Sequence, residues 1–152
     1  MLGLRINLGA ADRVFAGFIN ADITPGPDIT VVDLRQPWPW PDASAALVIA
    51  WDILEHLPDK IHTMNELWRV LVPGGTAEII VPTTDGPGAF QDPQHCSYWN
   101  RRSFLYYTDG CPYRERFAAS YGITAKFRVT REAMENTMDG PKLTIVLEAV
   151  KP

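Results

Sequence analysis

The sequence predicts an α/β fold: a mostly parallel sheet with a C-terminal antiparallel strand, some of whose covering helices are missing. Three observations carry this expectation. Short apolar runs recur through the first half of the chain, an amphipathic helical repeat stands between two of them, and the links around the earliest runs are too short to hold helices.

The first run, Leu4 to Leu8, reads as a buried strand that ends in Gly9-Ala10-Ala11, small residues that allow a close backbone approach. Phe18 to Ile23 and Ile29 to Val32 are the second and third strands, parted by the turn residues Thr24-Pro25-Gly26-Pro27-Asp28. Across Gln36 to Ala43, Pro37, Pro39 and Pro41 alternate with Trp38 and Trp40, which predicts an extended aromatic loop. Ala46 to Trp51 is the fourth strand. From Asp59 onward, Ile61, Met64, Leu67, Trp68 and Leu71 repeat at helical spacing, and Pro73-Gly74-Gly75 is expected to stop that helix. Thr76 to Val81 is a fifth strand, followed by a long loop from Pro82 to Ser97. Asn100 to Tyr107 predicts a short helix, while Cys111 to Tyr121 is ambiguous, with room for a helical turn. Ile123 to Thr130 and Lys142 to Val150 fit a terminal antiparallel pair, joined by a polar excursion through Asn136, Asp139, Gly140 and Pro141.

At 152 residues, with 46% hydrophobic and 21% charged, the chain can bury one core, so a single domain over residues 1–152 is expected. Its 14 basic and 18 acidic residues leave a net charge of -4, and no lysine- or arginine-rich stripe is present. Nucleic acid is therefore not an expected partner. The longest apolar run, Ala45 to Trp51, is too short to span a bilayer, and Met1 to Ala10 carries Arg5 and Asn7 where a secretory signal needs an apolar core. No membrane partner is expected, and the expected location is the cytoplasm. Cys96 and Cys111 form no C-x-x-C pair, and His95 beside Cys96 points away from a shared metal in most backbone conformations. Two reduced thiols and no metal ligands are the resulting expectation.

In an open α/β sheet a ligand sits beyond the carboxyl ends of the strands, so the residues just after each apolar run are the informative ones. These are Gly9, Ala10 and Ala11, then Asp22 and Ile23, Asp33 and Leu34, and Trp51 and Asp52. Carboxylates at successive strand ends suit ribose hydroxyls and an exocyclic amine, and small residues after the first strand let a cofactor lie against backbone. Asp22 and Asp33 also read as turn formers before Pro25 and Pro37. A dinucleotide fingerprint begun at Gly9 meets Ala11 and Val14 instead of glycines, and no G-x-x-x-x-G-K loop is present, which argues against NAD and against an NTPase.

Ile6-Asn7-Leu8-Gly9, Gly17 to Ile23 and Val32-Asp33-Leu34 resemble the start of small class I S-adenosylmethionine-dependent methyltransferases. Asp52-Ile53-Leu54-Glu55-His56-Leu57-Pro58-Asp59 and Glu66 to Gly75 are similar to the fourth-strand and helix-to-fifth-strand motifs of the branch that includes ubiquinone-biosynthesis methylases. Asp92-Pro93-Gln94-His95 and Ser103-Phe104 are similar to a downstream motif of compact bacterial and phage-encoded members. The resemblance implies a reduced Rossmann-like methyltransferase sheet with S-adenosylmethionine as cofactor. It implies that Gly9, Ala10 and Ala11 line the methionine part, Asp22 takes the ribose hydroxyls, Asp33 and Leu34 frame the adenine, and Trp51 and Asp52 close the pocket near the sulfonium. Glu55 and His56 read equally as ligand contacts or as polar residues that fix the turn after the fourth strand.

Methyl transfer from a sulfonium is an in-line displacement, and a base is needed only when the acceptor loses its proton early. For a hydroxyl acceptor, His95 and Asp92 are the candidate catalytic groups, set in the long loop after the fifth strand. Their structural alternative is a turn at Asp92-Pro93 and a His95 side chain bonded to backbone. By analogy with the family, the acceptor is a glycan or a small hydroxylated metabolite. Two departures matter: Ala10-Ala11 replaces a usual second glycine, and the short early crossovers leave part of the sheet uncovered unless Trp38, Trp40 and Phe15 fold over it or a second copy does, which predicts a homodimer or larger assembly. The rival readings are a non-catalytic subunit of the same fold and a binder of nucleotides or sugar-nucleotides without methyl chemistry.

Overall fold

The computed structural model describes residues 2–152. Its strands are β1 (Leu4–Leu8), β2 (Ile19–Asp22), β3 (Thr30–Val31), β4 (Ala45–Trp51), β5 (Leu71–Pro82), β6 (Phe127–Thr137) and β7 (Gly140–Ala149). They form one seven-stranded sheet in the order β3-β2-β1-β4-β5-β7-β6. Every neighbouring pair is parallel except those made by β7, which runs antiparallel to both β5 and β6. The apolar runs predicted this mostly parallel sheet. Strand order reverses between β1 and β4, so the carboxyl ends of these two central strands open a crevice.

Alternation along the strands divides the sheet into unequal faces. Ile6, Leu8, Val48, Ile79, Ile145 and Leu147 point to one face and are at most 1% exposed. Helix α1 (Lys60–Val70) lays Met64, Leu67 and Val70 into this core, and its first turn is capped by Asp59, whose carboxylate accepts the His62 N–H at 2.9 Å. Trp38 and Trp40 fill the same core from the proline-rich loop, meeting edge to face at 5.9 Å. Arg69 of α1 fastens that loop: it donates to the carbonyls of Trp40 and Trp38 at 2.9 and 3.1 Å and pairs with Glu66 at 2.6 Å. Glu66 in turn accepts the Trp38 N–H at 2.6 Å.

Among the described residues the other face carries no helix, because the links from β1 to β2 and from β2 to β3 hold none. Two buried asparagines organise the first link in their place. Asn7 donates to the Arg13 carbonyl at 2.6 Å and to Asn20 Oδ1 at 2.9 Å, and Asn20 both accepts the Phe15 N–H and donates to the Phe15 carbonyl, each at 3.0 Å. A carboxamide offers a donor and an acceptor together, which is what an isolated backbone segment requires. Phe15 is thereby set edge-on against Trp51 at 5.7 Å, while Leu47, Ile49, Ile80 and Val146 are only partly buried on this face.

Several boundaries differ from expectation. Leu71 begins β5 instead of ending the helix, because Val72 precedes proline and stays extended. Pro73-Gly74-Gly75 forms a bulge between the Ala45–Leu71 and Leu47–Thr76 pairs. β6 extends to Thr137, which pairs with Gly140, so the polar excursion is a hairpin turn of Met138 and Asp139. The polarity of β6 reflects its place as an exposed edge strand. Arg101–Tyr107 is a 3-10 helix with a capping box of Asn100 and Ser103. Cys111 to Tyr121 holds a full helix, α2 (Pro112–Tyr121), which buries no residue and so leaves no apolar stripe in the sequence. No described helix is long and apolar enough to cross a membrane.

Replacing Asn20 with Ala strands the Phe15 backbone groups and the Asn7 amide, at a cost of about 2–3 kcal/mol. Thermal unfolding is expected to shift down by roughly 4–12 °C, measured by circular dichroism.

Candidate functional site

Two cavities open at the carboxyl ends of the central strands and share His56 as a common wall. The first, of about 280 Å³, is lined by Gly9, Asp22, Ile23, Asp33, Leu34 and His56, together with neighbouring residues. The second, of about 270 Å³, is lined by Asp52, Glu55, His56, Asp92, His95 and Lys142 among others. A larger, more open groove of about 670 Å³ lies between α1 and Tyr106, Tyr107 and Tyr121, but it contains none of the strand-end residues.

In the first cavity the two aspartates are turn formers and wall residues at once. Asp22 accepts the Ala11 N–H at 2.9 Å through Oδ2 and the Thr24 N–H at 2.8 Å through Oδ1. A carboxylate has about four lone-pair sites, so each oxygen keeps one for a ligand. Asp33 is gripped by Arg35, which donates from Nε and Nη2 at 2.9 Å each, and these bonds hold its carboxyl below the usual carboxylate range. Gly9 packs directly on Ile53, leaving no room there for a side chain.

Not all the strand-end residues face this cavity. Ala10 is 1% exposed and bonds to the Ala21 carbonyl, and Ala11 is exposed at φ 47°, in the left-handed region. Trp51 lies on the opposite face of the sheet, its indole N–H donating to Glu78 at 3.1 Å. Asp52 lines the second cavity, not the first. Held at φ 54°, it joins the hairpin to the first crossover through Lys142 at 2.8 Å and Arg13 at 3.3 Å.

The second cavity is assembled from segments distant in sequence. The 3-10 turn Leu54–His56 follows β4 and is tied to the long loop by the Cys96 and Ser97 N–H groups, which donate to the Glu55 carbonyl at 2.8 and 3.1 Å. Gly88 lets that loop lie against the β6–β7 hairpin: an added Cβ would stand 2.4 Å from the Asp139 carbonyl oxygen. His95 Nδ1 lies 3.0 Å from the Ala89 carbonyl oxygen and donates to it, which leaves Nε2 facing Asp92 and Glu55. Nε2 stands 3.7 Å from Asp92 Oδ2 and 4.0 Å from Glu55 Oε1. Asp92 also makes the expected turn, accepting the Gln94 N–H at 2.8 Å.

The sequence left Glu55 open between ligand contact and turn former, and the structure places it in the wall of the second cavity. It is 2% exposed, and burial pushes its carboxyl up to about 7. The His56 and His95 rings meet edge to face at 4.9 Å. The available signal was the Glu55-His56 pair directly after a strand end, but nothing in the spacing joined it to His95.

Because Ala11 occupies a left-handed conformation, Ala11→Gly relieves strain of about 1–2 kcal/mol and loses part of this to chain entropy. The variant is expected to unfold about 2–4 °C higher, read by differential scanning calorimetry.

Residues 11–79 match the family model described as "Methyltransferase domain". No curated protein matches the sequence. The fold is similar to that of solved methyltransferases. The Burkholderia thailandensis 1,6-didemethyltoxoflavin-N1-methyltransferase, solved with S-adenosylhomocysteine, aligns at a TM-score of 0.64 and 13% identity, covering 99% of this chain and 72% of that one. The complex between the Haloferax volcanii Trm112 methyltransferase activator and a methyltransferase gives 0.63 and 17%, covering 99% and 85%. The N-methyltransferase NodS of Bradyrhizobium japonicum WM9 gives 0.61 and 11%, covering 98% and 85%. Residues 11–79 thus match a methyltransferase-domain model, and the chain as a whole shares the fold of these solved methyltransferases.

Proposed function

We propose that the protein is an S-adenosylmethionine-dependent methyltransferase, with the cofactor in the first cavity and the methyl acceptor in the second. The observation that carries this reading is the shared wall at His56, which sets a cavity with acidic strand ends beside one with a histidine and carboxylates. S-adenosylhomocysteine in the Burkholderia relative supports the same cofactor. Asp22 would take the ribose hydroxyls, Asp33 and Leu34 the adenine, and Gly9 and Ile23 would border them. Ala10 and Ala11 shape the loop over this cavity, Trp51 braces Phe15 behind it, and Asp52 stands at the side facing the acceptor.

The cofactor supplies a methyl group on a sulfonium, so the chain has chiefly to align the acceptor and manage its proton. The second cavity is rich in hydrogen-bonding groups, which suits a hydroxyl acceptor on a glycan or small metabolite. His95 Nε2 is positioned to take the hydroxyl proton, and the Asp92 carboxylate beside it favours the imidazolium that forms. Leu47, Ile49, Ile80 and Val146, partly buried and interspersed with Thr76 and Glu78, support a homodimer that covers the helix-free face. Sedimentation at high concentration showing only monomer would remove that part.

Isothermal titration with S-adenosylmethionine and S-adenosylhomocysteine is expected to show binding that Asp22→Ala abolishes. No binding at millimolar ligand would turn the reading to a non-catalytic subunit, and equal competition by plain nucleosides to a nucleotide binder. Once methyl labelling has identified an acceptor, His95→Ala is expected to lower kcat by about a hundredfold with cofactor affinity unchanged. Unaltered turnover would show that His95 only holds its loop.

A further inference from the structure

We propose that the second cavity is a divalent metal site, with Glu55, His56 and His95 as protein ligands and Zn²⁺ as the ion best suited to them. One ligand atom from each of these residues lies within 4.8 Å of the others. Two imidazoles and one carboxylate are a donor set that zinc takes with a fourth position open. Zinc bonds of about 2.0–2.2 Å place tetrahedral donors roughly 3.3–3.5 Å apart, so side-chain adjustments of about 1 Å close the set.

Three independent features point to a cation here. Glu55 Oε2 is, among the described residues, the one buried side-chain oxygen or nitrogen with no hydrogen-bond partner, and an anionic oxygen buried without a partner is costly. His95 already has the outer-shell arrangement of a metal-bound histidine, its Nδ1–H given to a backbone carbonyl and its Nε2 turned inward. The cavity wall also carries four carboxylates, Asp52, Glu55, Asp92 and Asp139, against the single ammonium of Lys142, which is itself paired with Asp52.

The inference rests on the acceptor reading only for the role of the ion, and there it moves the proton acceptor from His95 to Asp92. A hydroxyl bound at the open position becomes more acidic. With His95 engaged as a ligand, the Asp92 carboxylate receives the proton as the O–H bond breaks. The alkoxide oxygen then forms its bond to the methyl carbon while the carbon–sulfur bond breaks, leaving the neutral thioether.

The test is Zn²⁺ titration of the chelator-treated full chain without S-adenosylmethionine, read by calorimetry and thermal unfolding. One equivalent is expected to bind, raising the unfolding temperature by about 5–10 °C at a hundredfold excess over Kd. His56→Ala and His95→Ala are each expected to weaken Zn²⁺ at least roughly a hundredfold. Glu55→Gln keeps the side-chain shape, so it is expected to lose affinity while its metal-free form unfolds no lower than the parent. Cys96→Ser is expected to bind as the parent does. No uptake by the parent, uptake unchanged in the histidine variants, or uptake lost in Cys96→Ser would overturn the site. S-adenosylhomocysteine binding by the metal-free protein is measured alongside, so failure of the ion and failure of the cofactor reading are told apart.

Discussion

Successive parallel strands require the chain to travel back along the sheet, and the first two returns in this protein do so without a helix. Much else follows from that constraint. β2 and β3 are short, so the return is short, and the backbone that makes it must find hydrogen-bond partners outside any helix. Asn7 and Asn20 provide them for the first return, which explains two polar residues at 3% and 4% exposure among the otherwise apolar buried positions of the strands. The same economy leaves α1, the tryptophan loop and the 3-10 helix to build the core on one face, with the other only partly covered.

The crevice inherits its form from this layout. With no helix after β1, the loop at Gly9-Ala10-Ala11 is held by Asp22 and by the Ala10–Ala21 backbone bond, and the left-handed Ala11 is the strained point of that hold. Asp52 does the equivalent after β4, tying crossover and hairpin together through two cations while itself at positive φ. Strain at both ends of the strand-order reversal is tolerated because several bonds fix each residue from outside.

The second cavity depends on long-range packing of another kind. The loop after β5 is pinned to the turn after β4 by Ser97, whose hydroxyl donates to the Leu54 carbonyl while accepting from the fully buried Trp99. The hairpin closes the far side only because Gly88 admits its backbone. His95, Glu55 and Asp92 therefore meet through tertiary contacts that no one segment encodes.

Local chemistry determined what could be read from the sequence alone: the apolar runs of the strands, the helical repeat that became α1, the absent early helices and the acidic strand ends. Each depends on residues a few positions apart, where periodicity and turn propensity act directly. The family resemblance rested on the same local segments. Tertiary structure alone decided which side of the sheet Trp51 occupies, that the Cys111 to Tyr121 segment is a helix, and that Glu55 and His56 stand against His95. α2 buries no residue, so no periodicity announced it, and the separation of Glu55 from His95 is bridged only when a loop folds back over a strand end. Burial then turned Glu55 from an ordinary surface acid into a carboxyl lacking one partner, a property that exists only in the folded protein.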